Sequence, residues 1–214
     1  MTTSIPKHHV HVSTTITRIS GGPHNYTLHS STSTFGPFNH IILATPAPIS
    51  ATLLPDGESQ LRDALKTFKY VPTLVVTHTD PSFIPSSPSL HRDLHFQRPS
   101  KPISALQNLE GTTQATHILH YRSPYLQSVK LYQTTNPHRF PRKETILSQT
   151  WFERFLPTLE SLRVRREVFC REGLGQGNDN IWFVGSWLGE GIPLLEGCVE
   201  SAERVVDMIL SLEE

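Results

Sequence analysis

Four groups of residues have types and spacings that could do chemistry. The first is Gly185-Ser186-Trp187-Leu188-Gly189-Glu190-Gly191, followed by Pro193 and Gly197. A strand that turns through glycines into a helix offers a ligand the helix's unpaired N–H groups and partial positive charge. Glycine lets a flat or anionic ligand approach the backbone closely. The spacing is neither G-x-G-x-x-G nor a Walker loop, so a plain strand-to-helix turn stays open beside the ligand reading. The second group is histidine: His8-His9-x-His11, His91-x-x-x-His95 and His117-x-x-His120. None has a cysteine partner and no H-E-x-x-H is present, so no metal centre is expected. The third is Ser186, which follows an apolar run but lacks the G-x-S-x-G flanks of a hydrolase nucleophile. The fourth is Cys198 at the start of a helical pattern. The dipole there would favour thiolate, but its place on an apolar stripe favours a buried structural cysteine. Arg163, Arg165, Arg166 and Arg171, interleaved with Glu160, Glu167 and Glu172, read as a solvated face.

These residues need elements to position them. Residues 180–185 (NIWFVG) form a short apolar strand ahead of the glycine turn. After it, Cys198, Val199, Ala202, Val205, Val206, Ile209 and Leu210 share one stripe of a helix over 197–210, the strongest helical pattern in the chain. Ile41-Ile42-Leu43-Ala44 is a continuous apolar run, the pattern of a strand buried on both faces, and it must stop at Pro46 and Pro48. Upstream, 9–19 and 26–34 read as surface strands separated by Gly21-Gly22-Pro23. A short helix around 49–54 and an amphipathic one over 58–68 follow. Strands are expected at 70–78, 115–121 and 129–135, a long loop at 81–104, and a weak helical pattern at 143–170 broken by Pro157.

The chain has 214 residues, 19 Lys+Arg and 19 Asp+Glu, so it lacks the basic surplus of a general nucleic-acid binder. With 36% hydrophobic residues, 43 Ser and Thr, 17 Pro and 12 Gly, it reads as loop-rich with a modest core. Two cysteines exclude a disulfide framework, though not a single bridge. No stretch suits a membrane span and the first residues do not resemble a signal peptide, so a cytoplasmic protein is expected.

Three segments, in order, resemble one family. IWFVGSWLGEGIPLLEGCVESAERVV (181–206) resembles the closing strand, turn and helix of the flavin-containing amine oxidoreductases, with their G-x-P-x-x-x-G-A/C-x-x-S-G/A stretch. FNHIILATPA (38–47) resembles the segment by which that family's chain enters its FAD domain. Thr67-Phe68-Lys69-Tyr70 with 75–85 (VVTHTDPSFIP) is similar to a bacterial and fungal subgroup of amine-oxidase-like proteins. The resemblance implies an α+β fold: a mixed or antiparallel substrate-domain sheet, plus strands and a C-terminal helix of an incomplete FAD-binding domain. It implies FAD as cofactor, a small organic substrate and hydride transfer to flavin. Carried over residue by residue, the cofactor contacts would be Ala44, Thr45, Gly185, Ser186, Trp187, Gly191, Leu194, Leu195 and Gly197. The amides near Leu195, Glu196 and Gly197 would stabilise negative charge on the ring. Trp187 would either pack on the flavin or serve as a core aromatic. No catalytic base is implied.

The chain departs from the family in two places. It lacks the opening βαβ unit with G-x-G-x-x-G, about half of a typical member. Gly173-Leu174-Gly175-Gln176-Gly177 has the wrong spacing and reads as a flexible loop. The family's Gly-Glu turn is here Gly185-Ser186. The implied division is 1–50 as meander and strand of the FAD part, 51–170 as substrate part, and 171–214 as the FAD strand-turn-helix. A truncated remnant, a diverged protein and half of a split flavoprotein are the expected explanations. The alternative is a non-catalytic interaction domain that meets a partner chain, or itself, through exposed strand edges.

Overall fold

The computed structural model describes residues 5–98, 113–121, 123–126, 128–170 and 175–212. It has an α+β fold with three sheets. The chain forms two compact units, one from residues 1–69 and 155–214, the other from 70–154.

In the first unit, β1 (Ile16–Ser20), β2 (Tyr26–Ser30) and β3 (Thr34–Phe38) make an antiparallel meander. Of the strand expected over 9–19 only Ile16–Ser20 forms, and the one expected over 26–34 is cut after Ser30. The cut has a local cause: the Ser30 hydroxyl accepts from the amides of Thr32 (3.3 Å) and Ser33 (3.0 Å), a side-chain turn that competes with the ladder. α1 (Ala47–Leu53) begins straight after Pro46, with Pro48 in its first turn, where a missing N–H costs nothing. α2 (Ser59–Lys66) buries Leu61 and Leu65, as its periodicity predicts. Arg62 joins the two helices, its guanidinium donating to the carbonyls of Ala51 (3.0 Å), Leu54 (3.0 Å) and Pro55 (3.1 Å).

β4 (Ile41–Leu43) pairs in parallel with β10 (Ile181–Phe183), residue against residue from Ile41↔Ile181 to Leu43↔Phe183. β4 is not buried on both faces as expected: Ile41 and Leu43 are buried, but Ile42 is 49% exposed. The turn at Gly177 lies over Trp182, the β10 partner of Ile42, and leaves Ile42 itself uncovered. The far edge of β10 is occupied. The Gln176 side-chain amide donates to the carbonyl of Phe183 and accepts from its N–H, both at 2.7 Å, and the Gly177 amide donates to the Ile181 carbonyl (3.0 Å). Residues 175–177 are therefore not a free loop but a side-chain strand mimic; Gly173 and Leu174 lie outside the described residues. Gly177 sits at φ +75°, and a Cβ there would lie 2.5 Å from the Trp182 ring, so glycine is required for the turn to lie flat on the indole.

The first part of the weak helical pattern expected over 143–170 is strand: β9 runs from Ile146 to Leu156. Ile146, Thr150, Trp151, Phe152 and Phe155 are β-branched or aromatic and favour the pleated surface. Helix begins only beyond Pro157, as α3 (Leu159–Val164), started by a capping box in which Thr158 and Ser161 exchange hydrogen bonds. A π turn (Arg165–Phe169) follows, and α4 (Leu195–Ser211) closes the unit. The core is aromatic. Trp187 meets Phe68, Phe169 and Phe183 with ring centroids at 4.6, 5.4 and 6.4 Å, all edge-to-face.

The second unit is built on one sheet of order β6-β7-β8-β5-β9, with β5 Lys69–His78, β6 Leu94–Gln97, β7 Gln114–Ile118 and β8 Tyr132–Thr135. The stretch expected as one loop over 81–104 contains β6 and two 3-10 turns, Pro81–Phe83 and Pro88–Leu90; 99–104 lie outside the described residues. Four residues of strand among Pro, Ser and His carry too little alternation to be read. The sheet's buried face is partly polar. The Asp80 amide donates to His78 Nδ1 (3.2 Å), so the ring proton sits on Nε2, within 2.8 Å of the Thr134 hydroxyl, which in turn meets Thr116 at 2.9 Å. Asp80 Oδ1 accepts from the amide (3.0 Å) and hydroxyl (2.7 Å) of Ser82, and Oδ2 from the Arg142 amide (3.1 Å). Burial alone would raise the Asp80 carboxyl. The Ser82 and Arg142 donors outweigh it and hold the group well below the usual carboxylate range.

Candidate functional site

The parallel pair positions the sequence-predicted residues. β4 and β10 end side by side, and the Val184 amide donates to the Leu43 carbonyl (3.0 Å). The chain leaves β4 into Ala44-Thr45 and leaves β10 into the glycine turn, so both predicted segments open at the carboxyl ends of adjacent parallel strands. That is where open α/β sheets place ligands. Ala44 is exposed; Thr45 is half-buried, with its hydroxyl 2.7 Å from Ser50 Oγ. The Gly185 amide donates to the Ser201 hydroxyl (2.9 Å), which ties the end of β10 to the second turn of α4.

The glycines divide into two kinds. Gly189 and Gly197 pack backbone to backbone: a Cβ on Gly197 would come 3.1 Å from the Gly189 Cα, and one on Gly189 would collide with the Gly197 Cα. Arg165, buried to 8% exposure, donates to the Gly189 carbonyl and braces the same turn. Arg165 is thus no part of the solvated face expected from its charge pattern, whereas Arg163, paired with Glu167 at 2.8 Å, is. Gly191 is the opposite case, exposed at φ +77° with open space around it. Gly191→Ala is therefore expected to cost about 1 kcal/mol, from the left-handed backbone alone. Gly189→Ala must displace α4 and is expected to cost about 2 kcal/mol or more. Thermal unfolding of the two variants checks the difference.

Of the other predicted contacts, Leu194 and Leu195 are 56% and 80% exposed, Ser186 is half-buried, and Gly197 is buried. α4 starts without a side-chain cap, because Leu194 stands at the N-cap position. The Gly197 amide already donates to the Leu194 carbonyl (3.1 Å), so of the three amides expected to face a ligand it drops out. Beside this turn lies a cavity of about 470 Å³ lined by Glu190, Ile192, Glu196, Val199, Glu200 and Glu203. Trp187 is 2% exposed, and its indole Nε1–H has no acceptor among the described residues. That orphan donor lies against Gly185, where a Cβ would come within 2.9 Å of it.

These observations test the fit of a flavin. The exposed Ala44, Gly191, Leu194 and Leu195 and the uncapped helix start suit a flat, uncharged ring. Four carboxylates at the same turn do not suit the phosphates of a dinucleotide. Cys198 is half-buried and Cys170 exposed, both free thiols. Among the described residues no group of His, Cys, Asp and Glu is arranged to hold a metal ion. His8 and His9 lie in a 3-10 turn, His91 and His95 in a turn and on β6, and His117 and His120 on β7 and in the turn after it. No helix among the described residues is long and apolar enough to cross a membrane. Sequence reading missed Arg165 and Gln176. Both act through backbone groups, which leave no spacing signature.

No protein-family model and no curated protein matches the chain. Solved structures do match. One is the crystal structure of a "putative protoporphyrinogen oxidase" from Exiguobacterium sp. 255-15, at TM-score 0.58 and 17% identity. The match covers 94% of this chain and 47% of that one, so the chain spans about half the length of this neighbour. At that identity the likeness concerns the fold alone.

Proposed function

We propose that the chain contributes the ring-facing part of a flavin-dependent oxidoreductase of the amine-oxidase type. The observation that carries this is the side-by-side opening of β4 and β10 onto Ala44-Thr45, the glycine turn and the uncapped start of α4. The neighbour's fold supports it. Residues 1–50 and 171–214 would then face the cofactor, and 51–170 the substrate, a small organic molecule.

The residues have separable tasks in this reading. Ala44, Thr45, Gly185 and Ser186 line one side of the ring; Gly191 leaves room for it. Leu194 and Leu195 exclude water from its edge. The amides of Leu195 and Glu196 orient a carbonyl at the helix start, and the helix dipole favours negative charge there. The Glu196 carboxylate, in the same turn, works against that charge. Trp187 supports the turn from the core, and Gly197 holds it to α4. When bound, the flavin supplies two-electron chemistry, accepting a hydride from substrate.

Flavin titration tests this. Because the phosphates find carboxylates here, riboflavin is expected to bind about as well as FAD, with quenched flavin fluorescence and a Kd on the order of 100 μM, about −5 kcal/mol. A folded chain that takes up neither at high micromolar concentration would overturn the reading. A second reading, a non-catalytic module that docks to another chain, is favoured by the apolar face that α4 turns outward.

A further inference from the structure

α4 is packed the opposite way round from its composition. Against the glycine turn and β10 it buries the small stripe Gly197, Ser201 and Val205. Most of its apolar residues face out: Leu195 is 80% exposed, Val199 52%, Val206 49% and Leu210 56%. At 100° per residue these four fall within an arc of about 60°, and with Ala202 and Ile209 they follow the alternating four- and three-residue spacing of a helix-pairing seam. A groove of about 420 Å³ runs along this seam, lined by Cys198, Val199, Ala202, Glu203, Val206 and Asp207. One flank of the seam is acidic. Glu196, Glu203 and Asp207 form no ion pair among the described residues, while Glu200 is held by Arg204 at 2.8 Å.

The charges select the occupant. In an antiparallel two-fold pair of this chain, Glu196 and Glu203 would oppose Glu203 and Glu196 of the other copy, like charge against like. In a parallel pair Glu203 would face Cys198 of the other copy and Glu196 its Gly191, and neither is a cation. The edge of β10 offers no competing route, since Gln176 and Gly177 already fill it. We propose that the outward face of α4 docks an amphipathic helix of a partner protein, one whose apolar stripe is flanked by Lys and Arg. Its apolar residues would enter the groove at Val199 and Val206, and its cations would lie over Glu196, Glu203 and Asp207. The seam spans about four and a half turns of α4, so the complementary segment is a helix of about 15–18 residues.

The probe is a pair of fluorescein-labelled synthetic helices with one leucine stripe, flanked in one by lysines and in the other by glutamates. Each is titrated with the full chain and read by anisotropy. The lysine helix is expected to bind roughly tenfold tighter than the glutamate helix, with the preference lost at about 1 M salt. Val199→Asp with Val206→Asp is expected to weaken it at least roughly tenfold while leaving the thermal midpoint unchanged, since both side chains face out. Glu203→Lys with Asp207→Lys is expected to reverse the preference. Equal binding of the two helices, or binding indifferent to Val199 and Val206, overturns the proposal. So does a dimer seen by light scattering that Val206→Asp dissociates, because the occupant would then be a second copy. Leu195 and Glu196 belong to both surfaces, but the two readings fail separately: helix binding that depends on Val206 and Asp207, in the C-terminal half of α4, can persist in a chain that takes up no flavin.

Discussion

Trp187→Ala is expected to lower folding stability by about 3–5 kcal/mol, the cost of removing a fully enclosed aromatic ring. The side chain is 2% exposed and touches Phe68, Phe169 and Phe183, so its loss opens a cavity whose walls are themselves large rings that cannot collapse into it. Trp187→Phe is expected to cost much less, below about 1.5 kcal/mol. It keeps a ring in the edge-to-face cluster and removes an indole N–H that has no acceptor among the described residues, a buried donor whose isolation costs about 1–3 kcal/mol. The pair of variants separates the two roles that the sequence left open. A ring that served mainly as a ligand contact would lose little stability on truncation to alanine. Urea unfolding of both variants measures this, and a loss under about 1 kcal/mol for Trp187→Ala would reject the core role.

What was legible in the sequence followed from how many residues shared a signal. α2 was readable because Leu61, Leu65 and Phe68 recur at helical spacing and are all buried. β10 was readable because Ile181, Trp182 and Phe183 form an apolar run ahead of glycine. The stripe of α4 was also readable, but its direction was not. Periodicity shows that a helix has an apolar face and cannot show which face packs. Here close backbone contact between Gly189 and Gly197 draws the stripe of Gly197, Ser201 and Val205 inward and leaves Val199 and Val206 out. β9 was misread because Trp151, Phe152 and Phe155 fit either period over so short a window. Arg165 and Gln176 were invisible in principle. Each satisfies a backbone carbonyl, Arg165 that of Gly189 and Gln176 that of Phe183, so its role exists only once the chain has folded. The candidate site was legible as segments, through the resemblance, while the acidic lining at the start of α4 emerged only when Glu190 met Glu196, Glu200 and Glu203 in space.

Acidification is expected to destabilise the second unit in two separable steps. Burial pushes His78 down to about 4, with Arg139 adding to the effect and Asp80 opposing it. In the unfolded chain an imidazole titrates near 6.5, so below about pH 6.5 the unfolded state takes up a proton that the folded state refuses. The stability contributed by neutral His78 is therefore fully present above about pH 6.5. It is lost as pH falls toward 4, by on the order of 3 kcal/mol in all. His95, also lowered by burial and by His91 and Arg92, acts in the same direction. Asp80 behaves differently: its folded value is depressed, so its contribution persists down to the ordinary carboxylate range near 4 and is lost only below it. The structural cause of the first step is specific. A protonated His78 could no longer accept from the Asp80 amide, and that bond fixes the ring whose Nε2 reaches Thr134 and, through it, Thr116. His78→Gln keeps a donor for Thr134 and does not titrate. Its urea midpoint is expected to fall less between pH 6.5 and 4 than that of the unsubstituted chain, with the remaining slope coming from His95, and both should drop together at lower pH. Parallel curves across the upper window would show that His78 is not the group responsible.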